Sequence, residues 1–213
     1  AALGWAGSGS IVAVVGNQPD GAPRDVLADT HSLTRRLGLD AMAGVHGNRL
    51  VIVFGGAGDP AATASTLVPA FGDGPIVISP VAAEVNAASD VTRAALSGLR
   101  AVAAWPGAPR PVSAEALLPE RTLAGDADAR ESLIEAVYRP LVEAGDVLVE
   151  TVSTFLETGG ALESTARALF VHANTVRYRL RRVAEVCGET PSDPRGAFTL
   201  RLALTLGRLE QLG

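Results

Sequence analysis

Side chains that bind anions are concentrated in one short stretch of the chain, residues 161–187. Five arginines lie there against two glutamates, which gives the stretch a charge of +3, whereas the whole 213-residue chain has a formal charge of −5. Guanidinium groups form bidentate hydrogen bonds with phosphate oxygens and with the N7 and O6 atoms of guanine. A basic stretch in an acidic chain therefore indicates a local contact with nucleic acid.

A helix over about residues 175–186 is predicted to present these arginines. Val176, Leu180, Val183 and Ala184 recur at helical spacing and would form its buried stripe. At about 100° per residue the opposite side gathers an amide, a phenol and guanidinium groups, with Arg177 and Arg179 on the flanks. Arginine on such a face can read guanine, and groups at the helix start can bind phosphate. The predicted DNA-binding residues are His172, Asn174, Thr175, Arg177, Tyr178, Arg179, Arg181 and Arg182.

A second, shorter helix is predicted immediately before it, over residues 161–169. The small Ala166 on its apolar face allows another helix to cross closely. Residues 170–173 would form the turn, and Asn174 is predicted to cap the next helix through its side-chain oxygen. Two helices at this spacing predict a helix-turn-helix, although such turns often have glycine where this chain has Phe170.

The first hundred residues alternate between strand and helix patterns. β-Branched runs predict buried strands, and residues 46–48 contain the glycine and asparagine that a tight hairpin requires. The order β-α-β-β-α-β-α predicts an α+β sandwich of ferredoxin-like or cyclase-like type over about residues 8–106. The predicted elements are 11–16, 24–37, 39–45, 49–54, 61–71, 75–80 and 89–105.

Four prolines between residues 106 and 119 mark the end of this first domain. Every predicted element beyond them is helical, beginning with a helix over 127–138 that ends near Pro140 and closing with a helix capped by Ser192. The predicted domains are an α+β domain over 1–106, a linker and connecting helix over 107–145, and an all-α helix-turn-helix domain over 146–213.

The composition excludes several classes of chemistry. The chain has no lysine, so neither a Walker-type phosphate loop nor Schiff-base chemistry is available. Its single cysteine, Cys187, permits no intrachain disulfide and fits a reducing cytoplasm. No apolar run approaches the ~20 residues of a membrane span, so we expect a cytoplasmic protein with no membrane contact. We also expect no cofactor. Neither an initiator methionine nor a basic signal-peptide start is present, which suggests a piece of a longer protein.

The stretch TARALFVHANTVRYRLRRVAEVCG, followed by SDPR and a leucine-rich helix, resembles the C-terminal domain of PucR/CdaR-type transcription regulators over about residues 147–209. The resemblance implies a sequence-specific helix-turn-helix with double-stranded promoter operator DNA as its partner. It also implies that a phenylalanine at the position of Phe170 is compatible with the turn of this family. Regulators of this family often carry a degenerate cyclase-like (GGDEF-like) domain before the helix-turn-helix. The order of strands and helices over residues 8–106 is compatible with such a domain.

Residues 105–126 further resemble the actinobacterial branch that controls fatty-acid or mycolic-acid synthesis genes. This resemblance implies an activator of a fatty-acid synthase operon that responds to an acyl-CoA effector, although the sequence itself shows no acyl-CoA site. A single helix-turn-helix reads only a few base pairs, so we expect a homodimer or higher homo-oligomer on half-sites about one helical turn apart.

Catalytic activity is not expected. An active diguanylate cyclase needs acidic metal ligands, but the hairpin over residues 45–49 has no carboxylate and the first strand ends in Gly16-Asn17, with Asp20 the nearest acid. Without these acids the chain lacks a pair of divalent metals for phosphoryl chemistry, so no catalytic and no metal-binding residues are predicted. Two alternatives stay open: a nucleotide-binding relative of the cyclases, and a helical protein-interaction module whose arginine face meets an acidic partner.

Overall fold

The computed structural model describes residues 10–55 and 59–211, and the chain divides into two compact units, Ala1–Ala124 and Gly125–Gly213. Within those two described ranges no helix is long and apolar enough to cross a membrane. Each unit buries apolar residues of its own and is described separately.

A five-stranded sheet forms the centre of the first unit, as far as its residues are described. Its strands are β1 (Ile11–Asn17), β2 (Asp40–His46), β3 (Arg49–Gly55), β4 (Ile76–Ile78) and β5 (Val112–Ser113). They lie in the order β2-β3-β1-β4-β5, with every pair antiparallel except β4 and β5. Strand β1 pairs on both sides, which explains why its run of β-branched residues is buried almost throughout.

Helices cover both faces of this sheet. They are α1 (Pro23–Arg36), α2 (Pro60–Leu67), α3 (Ala88–Ala101) and α4 (Leu118–Leu123). Val14 of β1 packs in one core with residues of α1 and α2, whereas the next residue, Val15, packs in another with residues of α3. Successive side chains of a strand point to opposite faces, so a single apolar run contributes to both cores.

The hairpin between β2 and β3 forms as predicted. His46 pairs with Arg49, and Gly47 in the turn has a φ of 59°, a conformation that glycine adopts without steric cost. The order β1-α1-β2-β3-α2-β4-α3 is the one that the sequence patterns predicted. The α+β, cyclase-like fold class of the first unit, followed by a helical unit, is therefore confirmed.

The proline-rich stretch after α3 contains a strand that the sequence did not reveal. Val112 is buried and pairs with Val77 in parallel register, which adds β5 to the edge of the sheet. A two-residue strand is too short to show a period, and the surrounding prolines indicate a loop. The segment 107–145, predicted as a linker and connecting helix, contributes β5 and α4 to the first unit and the opening helices to the second.

The second unit consists of helices and connecting turns over its described residues. The helices are α5 (Ala127–Leu133), α6 (Arg139–Glu143), α7 (Asp146–Glu157), α8 (Leu162–Ala168), α9 (Ala173–Cys187) and α10 (Pro194–Gln211). The prediction that a helix ends near Pro140 was wrong, because a π-helical segment, Ile134–Tyr138, joins α5 directly to α6. Pro140 lies in the first turn of α6, where a residue without an N–H group is tolerated.

The C-terminal helix α10 packs against this π-helical segment. Gly207 lies so close to the ring of the buried Tyr138 that a Cβ atom on it would clash with three atoms of that ring. The predicted cap of α10 was wrong, because the carboxylate of Asp193, and not the hydroxyl of Ser192, accepts the backbone hydrogen bond from Gly196, at 2.9 Å. A carboxylate there also interacts favourably with the helix dipole.

Candidate nucleic-acid interface

Helices α8 and α9 form the predicted helix-turn-helix, and α7 packs against both. Thr165 and Ala166 are buried on α8, and the hydroxyl groups of Thr158 and Thr165 lie 2.8 Å apart, which ties the end of α7 to α8. Three of the four residues predicted for the buried stripe of α9 are buried, Val176, Leu180 and Val183, whereas Ala184 is half-buried. Because this stripe faces the other helices, the opposite side of α9 is turned to solvent.

Phe170 forms the turn between the two helices in a glycine-like conformation. Its φ is 55° and its side chain is 95% exposed. The backbone N–H of Phe170 bonds to the carbonyl of Arg167 at 3.3 Å, and that of Val171 to Ala166 at 3.0 Å, which is the Schellman pattern of a helix end. The position where glycine is common thus keeps the left-handed backbone, with phenylalanine in it.

Helix α9 begins two residues earlier than predicted, and the predicted cap was wrong. His172 is the N-cap, and its Nδ1 atom accepts a hydrogen bond from the backbone N–H of Asn174 at 3.1 Å. Asn174 lies inside the helix, where its Oδ1 atom accepts a hydrogen bond from Arg177 at 2.5 Å. Asparagine is among the residues preferred at N-caps, which is why the sequence pattern favoured the wrong residue.

The solvent side of α9 brings together most of the predicted DNA-binding residues. Tyr178 is 66% exposed, and Arg182 forms an exposed ion pair with Glu185 at 3.0 Å. Arg181 makes no hydrogen bond or ion pair with any residue in the described part of the chain. The predicted residues that are exposed on this side and at the helix start are His172, Asn174, Arg177, Tyr178, Arg181 and Arg182.

Two of the predicted residues lie at the border of this face. Arg179 is half-buried, and its Nη1 atom donates a hydrogen bond to Thr151 of α7 at 3.3 Å. Thr175 is half-buried at the start of α9, where its backbone N–H bonds to the carbonyl of His172 at 2.9 Å. Arg179 therefore helps to attach α9 to α7, a role that helical periodicity alone does not reveal.

The C-terminal end of α9 carries the single cysteine of the chain. The thiol of Cys187 donates a hydrogen bond to the carbonyl of Val183 at 3.2 Å, and burial raises the pKa of this thiol. A raised pKa keeps the group in its unreactive thiol form near neutral pH. In the described ranges, no group of three His, Cys, Asp or Glu side chains is arranged to hold a metal ion.

Two family models match the chain, one for each unit. The PucR C-terminal helix-turn-helix domain matches residues 148–206, which include α8 and α9. The GGDEF-like domain matches residues 1–101, which include β1 to β4. The matches agree with the element order of the first unit and with the helix-turn-helix geometry of the second.

Several known proteins are similar to this chain. An uncharacterized protein of Mycobacterium tuberculosis is 46% identical over 195 residues, which cover 91% of this chain and 47% of the relative. The purine catabolism regulatory protein of Bacillus subtilis is 45% identical over 62 residues, which cover 29% of this chain and 12% of that protein. The chain spans about half the length of the mycobacterial relatives that it matches.

A solved structure extends the similarity over nearly the whole chain. The crystal structure of a regulator of polyketide synthase expression from Bifidobacterium adolescentis has a TM-score of 0.86 and 38% identity, and covers 98% of this chain and 84% of that one. Because the similarity covers 98% of this chain, it includes both units. The chain therefore belongs to the PucR-type family of transcription regulators, with a GGDEF-like domain followed by the family's helix-turn-helix.

Proposed function

We propose that this chain is a sequence-specific DNA-binding transcription regulator that places α9 in the major groove. The observation that carries the proposal is the solvent face of α9, where Asn174, Tyr178, Arg181 and Arg182 lie opposite the buried stripe. An α-helix fits the major groove, where arginine recognises guanine through N7 and O6. The family match over residues 148–206 supports this use of the helix.

The predicted residues divide by their positions on α9. We assign base contacts to the centre of the exposed face, where side chains reach furthest from the buried stripe. We assign phosphate contacts to residues at the helix start, where backbone N–H groups and the dipole also favour anions. Arg179 is assigned to positioning α9 through Thr151. The proposed base contacts are Asn174, Tyr178, Arg181 and Arg182, and the proposed phosphate contacts are His172, Thr175 and Arg177.

The proposed targets are fatty-acid or mycolic-acid synthesis genes, with an acyl-CoA effector. This part of the proposal is supported by the resemblance of residues 105–126 to the actinobacterial branch of the family. The similar structure from Bifidobacterium adolescentis is that of a regulator of polyketide synthase expression. Polyketide synthase genes are therefore the second candidate target.

We further propose that the regulator acts in the cytoplasm as a homodimer or higher homo-oligomer and is not an enzyme. A single α9 contacts few base pairs, so two copies on adjacent half-sites supply the specificity that one copy lacks. Gly47 and Asn48 occupy the hairpin turn where a diguanylate cyclase needs carboxylates. Measurable turnover of a nucleoside triphosphate by the purified chain would contradict this part of the proposal.

Selection of bound duplexes from a random DNA pool tests the proposed function. We expect an enriched motif of two half-sites whose centres lie about one helical turn, ~10 base pairs, apart. Mapping the motif to promoters in the source genome then distinguishes fatty-acid synthesis genes from polyketide synthase genes. The Arg181→Ala, Arg182→Ala double variant is the matched control and should enrich no motif. If the unaltered chain enriches nothing beyond this control, the chain is not a sequence-specific DNA-binding protein.

A further inference from the structure

A cavity of about 890 Å³ opens at one end of the sheet in the first unit, on the face covered by α3. It lies where the last residue of β1, Asn17, and the first residue of β3, Arg49, approach the C-terminal end of α3 and the loop that follows it. Pockets for small organic ligands have volumes of roughly 300–1,000 Å³. The cavity is therefore large enough for such a ligand, and no predicted DNA-binding residue lines it.

The lining of this cavity is strongly positive. Arg49, Arg100 and Arg110 contribute three guanidinium groups, and none of the lining residues is acidic. The carboxylate nearest in sequence belongs to Asp73, an exposed residue beside the lining residue Gly74. Three arginines without a lining carboxylate contrast with the formal charge of −5 of the chain. Such a local excess of positive charge favours an anionic ligand.

Two of these guanidinium groups are held in place. Arg110 donates hydrogen bonds from Nε and Nη2 to two carbonyl oxygens of the loop before β4, at 2.6 and 2.8 Å, and Arg49 donates one to the Oδ1 atom of Asn17. These bonds use only some of the five N–H donors of each arginine. Arg100 makes no hydrogen bond or ion pair within the described ranges. The remaining donors are thus available to oxygen atoms of a ligand.

The rest of the lining is largely apolar. Trp105 is half-buried there, beside Pro75, Pro106 and the buried side chains of Leu99 and Val102. We propose that this cavity binds a small organic phosphate, with the phosphate group on the three arginines and a planar or apolar group against Trp105. A phosphate monoester carries about −1.5 to −2 charges at neutral pH. This charge nearly balances the net positive charge of three arginines and one neighbouring carboxylate. The proposal stands whether or not α9 binds DNA.

Fluorescence titration of the 213-residue chain tests this site. Trp5 and Trp105 are the two tryptophans of the sequence, so the Trp5→Phe variant reports on Trp105 alone. The probes are phenyl phosphate, inorganic phosphate and benzoate. We expect a saturable change in emission with phenyl phosphate, weaker binding of inorganic phosphate, which lacks the ring, and the weakest binding of benzoate, which lacks the phosphate.

The charge-reversing variant Arg100→Glu separates specific binding from general attraction. Arg100 makes no internal hydrogen bond, so its replacement should leave the fold intact. We expect its affinity for phenyl phosphate to fall at least about tenfold, because a hydrogen bond between charged groups is lost and a repulsive charge is added. Arg24→Glu, at an exposed arginine outside the cavity, is the matched control and should bind like the unaltered chain. The proposal is overturned by no saturable response to phenyl phosphate, by equal loss in both variants, or by benzoate binding as tightly as phenyl phosphate.

Discussion

The exposed residues of α9 differ in how they are held before any partner arrives. Arg182 forms an ion pair with Glu185, and Arg177 donates a hydrogen bond to Asn174, whereas Arg181 has no partner within the described ranges. An exposed ion pair contributes roughly 0–1 kcal/mol to stability. Breaking the ion pair with Glu185, so that Arg182 can contact a DNA phosphate or base, therefore costs little free energy. Among the described residues, Arg181 has no such ion pair to break.

Replacing Arg181 by alanine should weaken specific binding without affecting the fold. The loss of one arginine–guanine contact is expected to cost about 1–3 kcal/mol of binding free energy. Because the side chain is exposed, the free energy of unfolding should be unchanged. Fluorescence anisotropy with the selected duplex and urea denaturation measure the two quantities.

Arg179→Ala is the matched variant for this measurement, because Arg179 lies on the same helix and bonds to Thr151. It should lower the stability of the second unit more than Arg181→Ala does, and should cost less of the discrimination between the selected and a scrambled duplex. If Arg179→Ala abolishes that discrimination while Arg181→Ala leaves it intact, the assigned reading face is wrong.

Phe170 offers a second test at the residue scale, since its φ of 55° is unfavourable for any side chain. Left-handed backbone costs a non-glycine residue roughly 1–2 kcal/mol. The side chain is 95% exposed, so its removal sacrifices little burial. Phe170→Gly should therefore be as stable as the unaltered chain or more stable, and Phe170→Val, with a β-branched side chain, less stable. Urea denaturation that ranks valine at or above glycine would show that the turn does not hold this conformation in solution.

At the scale of elements, packing rather than intrinsic helix stability holds α9 in place. Isolated helices shorter than about 12–15 residues are marginal in water, and α9 has 15 residues, many of them charged or β-branched. Its stripe of Val176, Leu180 and Val183 is buried against neighbouring helices, and Arg179 adds a bond to α7. The orientation of the exposed face is therefore a property of the second unit and not of α9 alone.

The contact between α10 and the π-helical segment gives a prediction at this scale. Gly207→Ala would bring a methyl group into a clash with the ring of Tyr138, and overpacking of this kind costs typically ~1–3 kcal/mol. We expect a clear loss of unfolding free energy in spite of the higher helix propensity of alanine. Leu209→Ala, an exposed change on the same helix, should stay within about 0.5 kcal/mol of the unaltered chain. Equal stability of Gly207→Ala and the unaltered chain would contradict the close packing of these elements.

At the scale of the whole molecule, positive charge is concentrated in two places, the solvent face of α9 and the cavity of the first unit, although the chain is acidic. The two sites favour anions of different size. The face of α9 suits an extended polyanion, and the cavity suits a small one. Because the two proposed sites share no residue, we predict that a short phosphate ester and DNA do not compete for the same side chains.

Salt should weaken DNA binding steeply if α9 and the same helix of a second copy of the chain contact the phosphate backbone of the DNA. Neutralising about six to ten phosphates costs ~10³–10⁵ in affinity between roughly 50 and 200 mM salt. Gel-shift or anisotropy titrations at several salt concentrations give the slope. An affinity for the selected duplex that hardly changes with salt would contradict phosphate contacts, and a steep slope that is identical for all duplexes would leave sequence-specific reading unsupported.

Local sequence patterns predicted the order of elements in the first unit, the hairpin at Gly47, the helix-turn-helix and the exposed face of α9. These features depend on the spacing of apolar residues and on turn residues, which are local properties of the chain. The family resemblance rested on the same local stretch, residues 165–188 and their continuation. The two wrong cap predictions, at Asn174 and Ser192, were also local errors. In each case another residue within two positions could cap the helix, and the sequence pattern does not choose between the two.

Other features join residues that are distant in sequence, and only the packing of the folded chain brings those residues together. Strand β5 exists because Val112 meets Val77, Arg179 bonds to Thr151 across 28 positions, and the cavity assembles arginines from residues 49 to 110. No period or spacing records such meetings, because they follow from how the sheet and helices pack once formed. The sequence thus predicted the exposed face of α9, and the structure shows that Arg177, Arg181 and Arg182 are exposed whereas Arg179 is held against α7.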